Sequence, residues 1–232
     1  MPKQDNLKVI SAKDLGKLAL PDFCARCFWL ERHSGKPPSL FPSIFSVIDS
    51  LTKKNVHRSF LEKGKPPVWF PEFAEIEEIC QGEVSFKLWV EAGDWILAGK
   101  PDDIFRLKDG TYHIVDYKTA KFTGRQDELF PLYEVQLNVY AFLAERCGFK
   151  PVSGLSLVYF EPEESTTEEE EFGLIFKTHC LKVNLKSEVV VELLKKAREI
   201  VQAPDLPESA FGCQGLCRWL DRGLSHFKTP GD

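Results

Sequence analysis

The chain has 232 residues, 43% hydrophobic and 28% charged, proportions that suit a globular protein and exclude a wholly disordered one. Thirty Lys and Arg against thirty-five Asp and Glu leave a net charge of −5, which excludes a histone-like binder held to nucleic acid by bulk charge. The average hides a segregation: residues 1–70 carry twelve Lys/Arg and six Asp/Glu, a local +6, so the rest carries −11, with seven glutamates in 161–171.

In chain order, the opening residues 1–6 are polar and no secretory apolar run follows them. No stretch reaches the length of a membrane span. A cytoplasmic location is expected. There, an odd count of seven cysteines points to metal binding or burial and not to a disulfide framework. Residues 11–32 read as helical with a break at Pro21, and Pro37, Pro38 and Pro42 mark a loop. Residues 44–63 carry apolar side chains at helical spacing. Strands are expected over 84–90, over a long extended segment 95–107, and over 111–119 after the Asp109-Gly110 hairpin turn. Residues 133–146 form a strong helix ended by Gly148, and 155–160 a continuous apolar strand. The Glu-rich stretch 161–171 reads as a solvated loop, 172–183 as a strand, and 189–201 as a helix capped by Ser187 and stopped by Pro204. This order predicts one α/β domain over 1–232. It has a basic helical region at 1–70, an α/β core with a small mixed sheet at 84–202, and a cysteine-containing tail at 203–232 that packs on the first helix.

The densest chemistry lies in Gly99-Lys100-Pro101-Asp102-Asp103 and Ile114-Val115-Asp116-Tyr117-Lys118-Thr119. The Asp109-Gly110 turn folds Asp102 and Asp116 towards one end of a strand pair. Asp116 and Lys118, two apart on a strand, share a face. Two carboxylates and a lysine on one face are costly unless a further ion completes them, and carboxylate and carbonyl oxygens suit Mg²⁺. Asp103 points to the opposite face and is read as structural.

This stretch resembles the PD-(D/E)XK nuclease superfamily, whose motif stands here as Pro101-Asp102 followed by Asp116-Tyr117-Lys118. The preceding Gly99 and following Thr119 resemble its RecB-type branch, which includes CRISPR-associated exonucleases. Gln136 and Tyr140 fit that branch's Gln-x-x-x-Tyr motif, and the i,i+4 spacing puts both on one helical face. The resemblance implies a restriction-endonuclease-like fold and a metal-dependent DNA nuclease, an exonuclease acting in DNA processing, repair or CRISPR adaptation. It implies Mg²⁺ or Mn²⁺ on Asp102, Asp116 and the Tyr117 carbonyl, and Lys118 assisting attack of water. Gln136 and Tyr140 would position substrate or Lys118. A third ligand is implied on a preceding helix. His57 is the best-placed candidate, with Glu62 and Glu91 as others. The alternative is a catalytically silent module of the same fold that binds nucleic acid or a partner protein in a DNA-processing complex.

Cys24-x-x-Cys27 and Cys213-x-x-x-Cys217 together offer four thiolates, a set suited to zinc or an iron–sulfur cluster. RecB-type nucleases with terminal cysteines resemble this arrangement and hold a 4Fe–4S cluster on one N-terminal and three C-terminal cysteines. Here the split is two and two, and zinc stays open. Cys80, Cys147 and Cys180 read as small core hydrophobes. Lys13, Lys17, Arg26, Arg32, Lys36, Lys53, Lys54, Arg58, Lys63 and Lys65 would form a phosphate-facing wall. The aromatics among them (Phe28, Trp29, Phe41, Phe45 and Phe60) would suit stacking on single-stranded DNA.

Overall fold

The computed structural model describes residues 8–36, 42–72, 75–80, 84–123, 128–163 and 173–225. The expected loop at 37–41, with Phe41, and most of the Glu-rich stretch lie outside them. The described elements are β1 (Val9–Ser11), α1 (Ala12–Gly16), α2 (Ala25–Ser34), α3 (Ser43–Lys63), β2 (Ile76–Ile79), β3 (Phe86–Val90), β4 (Trp95–Gly99), β5 (Asp103–Leu107), β6 (Tyr112–Thr119), α4 (Phe130–Arg146), β7 (Val152–Glu163), β8 (Ile175–Val183), α5 (Glu188–Gln202) and α6 (Leu216–Ser225).

The strands build two sheets, ordered β1-β4-β3 and β2-β5-β6-β7-β8. The larger sheet is mixed: β6 and β7 run parallel and its other neighbours antiparallel. A parallel pair needs a crossover, and α4 is that crossover. This is an α/β fold with helices on both faces of the larger sheet, and its four clustered cysteines join the N-terminal and C-terminal regions.

The expected single strand 95–107 is two. β4 pairs with β3 and β1, whereas β5 pairs with β6 and β2. Lys100-Pro101-Asp102 breaks the run, because proline has no N–H for a ladder. The expected interrupted helix at 11–32 is also more divided: Ser11 ends β1 and caps α1, its hydroxyl accepting from the Asp14 N–H. Ser187 precedes α5 but makes no side-chain cap bond.

Each strand face serves a different core. Ile114 looks towards α4 and joins Leu137, Tyr140 and Leu155, whereas Val115 and Tyr117 look towards α3 and join Val56, Phe60 and Phe105. Helix α4 is therefore buried almost all round. Its one fully buried polar residue, Asn138, is satisfied: Nδ2 donates to the Glu134 and Asn184 carbonyls, and Oδ1 accepts from the Lys186 N–H. That fastens α4 to the β8–α5 connection. Of the three remaining cysteines, Cys80 and Cys180 are partly buried against the cores, but Cys147 is exposed. It sits just past the end of α4, outside the core assigned to it from sequence.

Candidate active site

The β5–β6 hairpin sets the site. Gly110 takes the left-handed conformation the tight turn requires (φ 81°), and Thr111 N–H donates to Asp109 Oδ1. In the resulting register Asp103 lies opposite Val115, which brings Asp102 beside Asp116 and Tyr117. Asp102 Oδ2 accepts from the Tyr117 N–H at 2.7 Å.

Alternation then sorts the side chains. Asp116 and Lys118 face α4, where Lys118 Nζ pairs with Asp116 Oδ2 and lies 4.2 Å from the centre of the Tyr133 ring. Burial opposes the Lys118 ammonium, but the Asp116 carboxylate outweighs it and raises its pKa. From α4, Gln136 Nε2 donates to Tyr140 Oη at 2.6 Å and reaches Asp116 Oδ1 at 3.4 Å. One helical face thus meets one strand face. Gly99 makes room for it: a Cβ there would lie 2.9 Å from Tyr140 Cδ1.

The other face carries a second polar group. Asp103 is buried, with Tyr117 Oη donating to it at 2.5 Å and His57 Nε2 at 2.6 Å. His57, the expected third ligand, is therefore held by Asp103 and is not brought to Asp102 and Asp116. Neither Glu62 nor Glu91 joins them: among the described residues, the only His, Cys, Asp and Glu set of three or more close enough to share one ion is the cysteine quartet. The His57 pKa is raised, chiefly by its hydrogen bond to Asp103. Lys53, expected in the phosphate-facing wall, instead turns to the carboxylates, a role sequence reasoning missed. Its ammonium sits 2.7 Å from Asp102 Oδ1 and 2.8 Å from Asp49 Oδ2. The signal was present: Asp49, Lys53 and His57 recur every four residues, so one stripe of α3 faces the hairpin.

The carboxylate pair has the character of a cation site. Burial, then repulsion from Asp116, pushes the Asp102 carboxyl up to about 6 despite Lys53 and the Tyr117 N–H. Asp116 is buried, with Lys118 Nζ against its Oδ2. Two crowded carboxylates fit a hard divalent ion such as Mg²⁺ or Mn²⁺. Beside the pair opens a cavity of about 440 Å³ lined by Phe45, Ser46, Asp49, Tyr117, Lys118 and Thr119.

The basic wall is largely spoken for. Lys17 pairs with Glu31, Lys36 with Asp14, Arg26 donates to the Pro207 carbonyl, and Arg32 is buried against Trp95. Lys13, Lys54, Lys63 and Lys65 remain exposed. Phe28 and Phe60 are core residues and Trp29 stacks on His33, whereas Phe45 is exposed on the cavity wall.

The family model of the PD-(D/E)XK nuclease superfamily matches residues 50–222. The chain belongs to the PD-(D/E)XK nuclease superfamily. Its fold is similar to that of the solved protein SSO0001, at 15% identity and a TM-score of 0.51, covering 89% of this chain and 80% of that one. An alkaline exonuclease (LHK-Exo) from Laribacter hongkongensis matches at 10% identity and a TM-score of 0.48, covering 97% and 96%. A phage-related exonuclease from Haemophilus somnus 129PT matches at 12% identity and a TM-score of 0.39, covering 88% and 82%. No curated protein matches. In this PD-(D/E)XK chain, the matched span contains the hairpin and α4 but starts after Cys24 and Cys27. Among the described residues, no helix is long and apolar enough to cross a membrane.

Cys24 and Cys27 at the start of α2 meet Cys213 and Cys217 at the start of α6, and the four sulfurs lie within 4.8 Å of one another. Four thiolates so placed can hold a metal.

Proposed function

We propose that this PD-(D/E)XK protein is a divalent-metal-dependent DNA nuclease of the RecB-type branch, hydrolysing phosphodiester bonds as an exonuclease from a single domain. The observation that carries the reading is the pairing of half-buried Asp102 with buried Asp116, which with burial pushes Asp102 up to about 6, and Lys118 on the same strand face as Asp116. Asp102, Asp116 and the Tyr117 carbonyl would hold Mg²⁺ or Mn²⁺. Such an ion, when bound, makes water a better nucleophile and offsets charge on the phosphoryl oxygens.

The remaining roles belong to the chain's own groups. Lys118, kept protonated by Asp116, stabilises negative charge as it builds on a phosphoryl oxygen. The Tyr133 ring against its ammonium limits where that charge can swing. Gln136 holds Asp116 and is itself held by Tyr140. Phe45, on the cavity wall, offers a face for an unpaired base, which suits a single-stranded end. DNA bound this way would lose affinity as salt rises.

The test is cleavage of end-labelled single- and double-stranded DNA with Mn²⁺ or Mg²⁺. Release of mononucleotides or short products is expected from the wild type and not from Asp116→Ala or Lys118→Ala. A wild type that cuts neither DNA, or variants that cut as well, would overturn the proposal.

A further inference from the structure

The family resemblance implies a 4Fe–4S cluster on the terminal cysteines, and the quartet does not fit one. Cys27 Sγ lies 3.2 Å from Cys217 Sγ and 3.5 Å from Cys213 Sγ, and Cys24 Sγ lies 3.7 Å from Cys217 Sγ. Those sulfurs are at or inside van der Waals contact. A cubane places four irons and four sulfides inside its thiolate shell, so the thiolates stand on separate corners and cannot touch. One ion makes the opposite demand. A tetrahedron of thiolates at about 2.3 Å from zinc has edges of about 3.8 Å. These three separations lie at or somewhat below that figure, and all four sulfurs are within 4.8 Å of one another.

The surroundings agree. Backbone N–H groups turn towards three of the four sulfurs: Ala210 to Cys24, Cys217 to Cys27 and Gly215 to Cys213, at 3.3–3.4 Å. Such donors spread the excess negative charge of four thiolates around a dication. Gly215 permits the tight approach, since a Cβ there would lie 3.2 Å from Cys27 Sγ. The thiolates also arrive as two local pairs, from the start of α2 and the start of α6.

We infer that Cys24, Cys27, Cys213 and Cys217 form a mononuclear zinc site that ties α6 to α2, and that the protein carries no iron–sulfur cluster. This stands apart from the nuclease reading, because it concerns metal content and not cleavage.

The experiment is metal analysis of protein purified anaerobically from iron-replete cells. About one zinc per chain is expected, with no broad absorption near ~400 nm. Exchange with Co²⁺ should give the visible bands of a tetrahedral tetrathiolate. Cys27→Ser and Cys217→Ser should each lose most of the zinc. If those variants fail to fold, the wild-type cobalt spectrum still decides. Iron and sulfide near ~4 per chain with a ~400 nm shoulder, or protein that binds neither zinc nor cobalt, would overturn the inference.

Discussion

Lys53 Nζ lies 2.7 Å from Asp102 Oδ1, so α3 delivers a cation to a carboxylate that the hairpin has already crowded against Asp116. Burial works against the Lys53 ammonium, but Asp102 and Asp49 outweigh it and raise its pKa. In chemical terms Lys53 does part of what a divalent ion would do at Asp102. The two should compete for the same charge.

Lys53→Met should therefore lower the stability of the metal-free protein by about 1–3 kcal/mol, since it leaves a largely buried carboxylate short of a partner. That corresponds to roughly 2–4 °C of melting temperature per kcal/mol for a chain of this size. The gain in melting temperature on adding Mn²⁺ should be larger in the variant than in wild type. Thermal melts with and without Mn²⁺ measure both, and an equal gain would contradict the competition.

Gly99→Ala should damage the site from behind. Its Cβ would meet Tyr140 Cδ1 at 2.9 Å and Leu143 Cδ1 at 3.0 Å, both on a buried helix with little room to retreat. Overpacking of this kind costs about 1–3 kcal/mol. Denaturant unfolding should show that loss. DNA cleavage should fall further than the stability loss explains, because Tyr140 carries Gln136.

Phe45→Ala should leave the fold intact and weaken substrate binding. The residue is 39% exposed on the cavity wall, so its removal opens no core cavity. Loss of one stacking face is worth about 1–3 kcal/mol per base. The expected outcome is a higher KM on single-stranded DNA, with kcat within a few-fold of wild type.

His113 makes stability depend on pH. Its ring is buried, Nε2 shares a hydrogen bond with Ser156 Oγ at 2.9 Å, and burial, assisted by Lys182, depresses its pKa to about 4. The folded state thus keeps His113 neutral where the unfolded chain, with an ordinary value near 6.5, takes up a proton. Its contribution is fully present above pH ~6.5 and is lost as pH falls towards 4, by at most about 1.4 kcal/mol per unit. Urea unfolding across that window should show the decline, and His113→Gln should flatten it.

How much of this was legible in the sequence follows the range of each signal. Asp116 and Lys118 share a face because strands repeat every two residues, and Gln136 and Tyr140 because helices return every four; both rules are local. Asp102 was legible too, since a two-residue turn fixes register. The split between β4 and β5 was not, although Pro101 marked the place. Which sheet a strand joins is decided by partners far away: β4 pairs with residues 9–11 and β5 with β2. His57 was picked from its position on a helix, but Asp103, one residue from the expected ligand, points the other way and captures it. The stripe of Asp49, Lys53 and His57 on α3 was legible from its spacing of four, but its partner was not, because the ion pair between residues 53 and 102 spans elements that only the tertiary fold brings together.

The cysteine quartet also imposes an order in time. Cys24 meets Cys217 only after 193 further residues have been made. At a synthesis rate of about 5–20 residues per second, that is a wait of roughly 10–40 s. During it, Cys24 and Cys27 can offer an ion only half a shell. Capture of a metal by all four would thus be reserved for chains translated past Cys217, by which point the hairpin and α4 have already been synthesised. A chain truncated before Cys217 would then lack the metal that the proposed site confers.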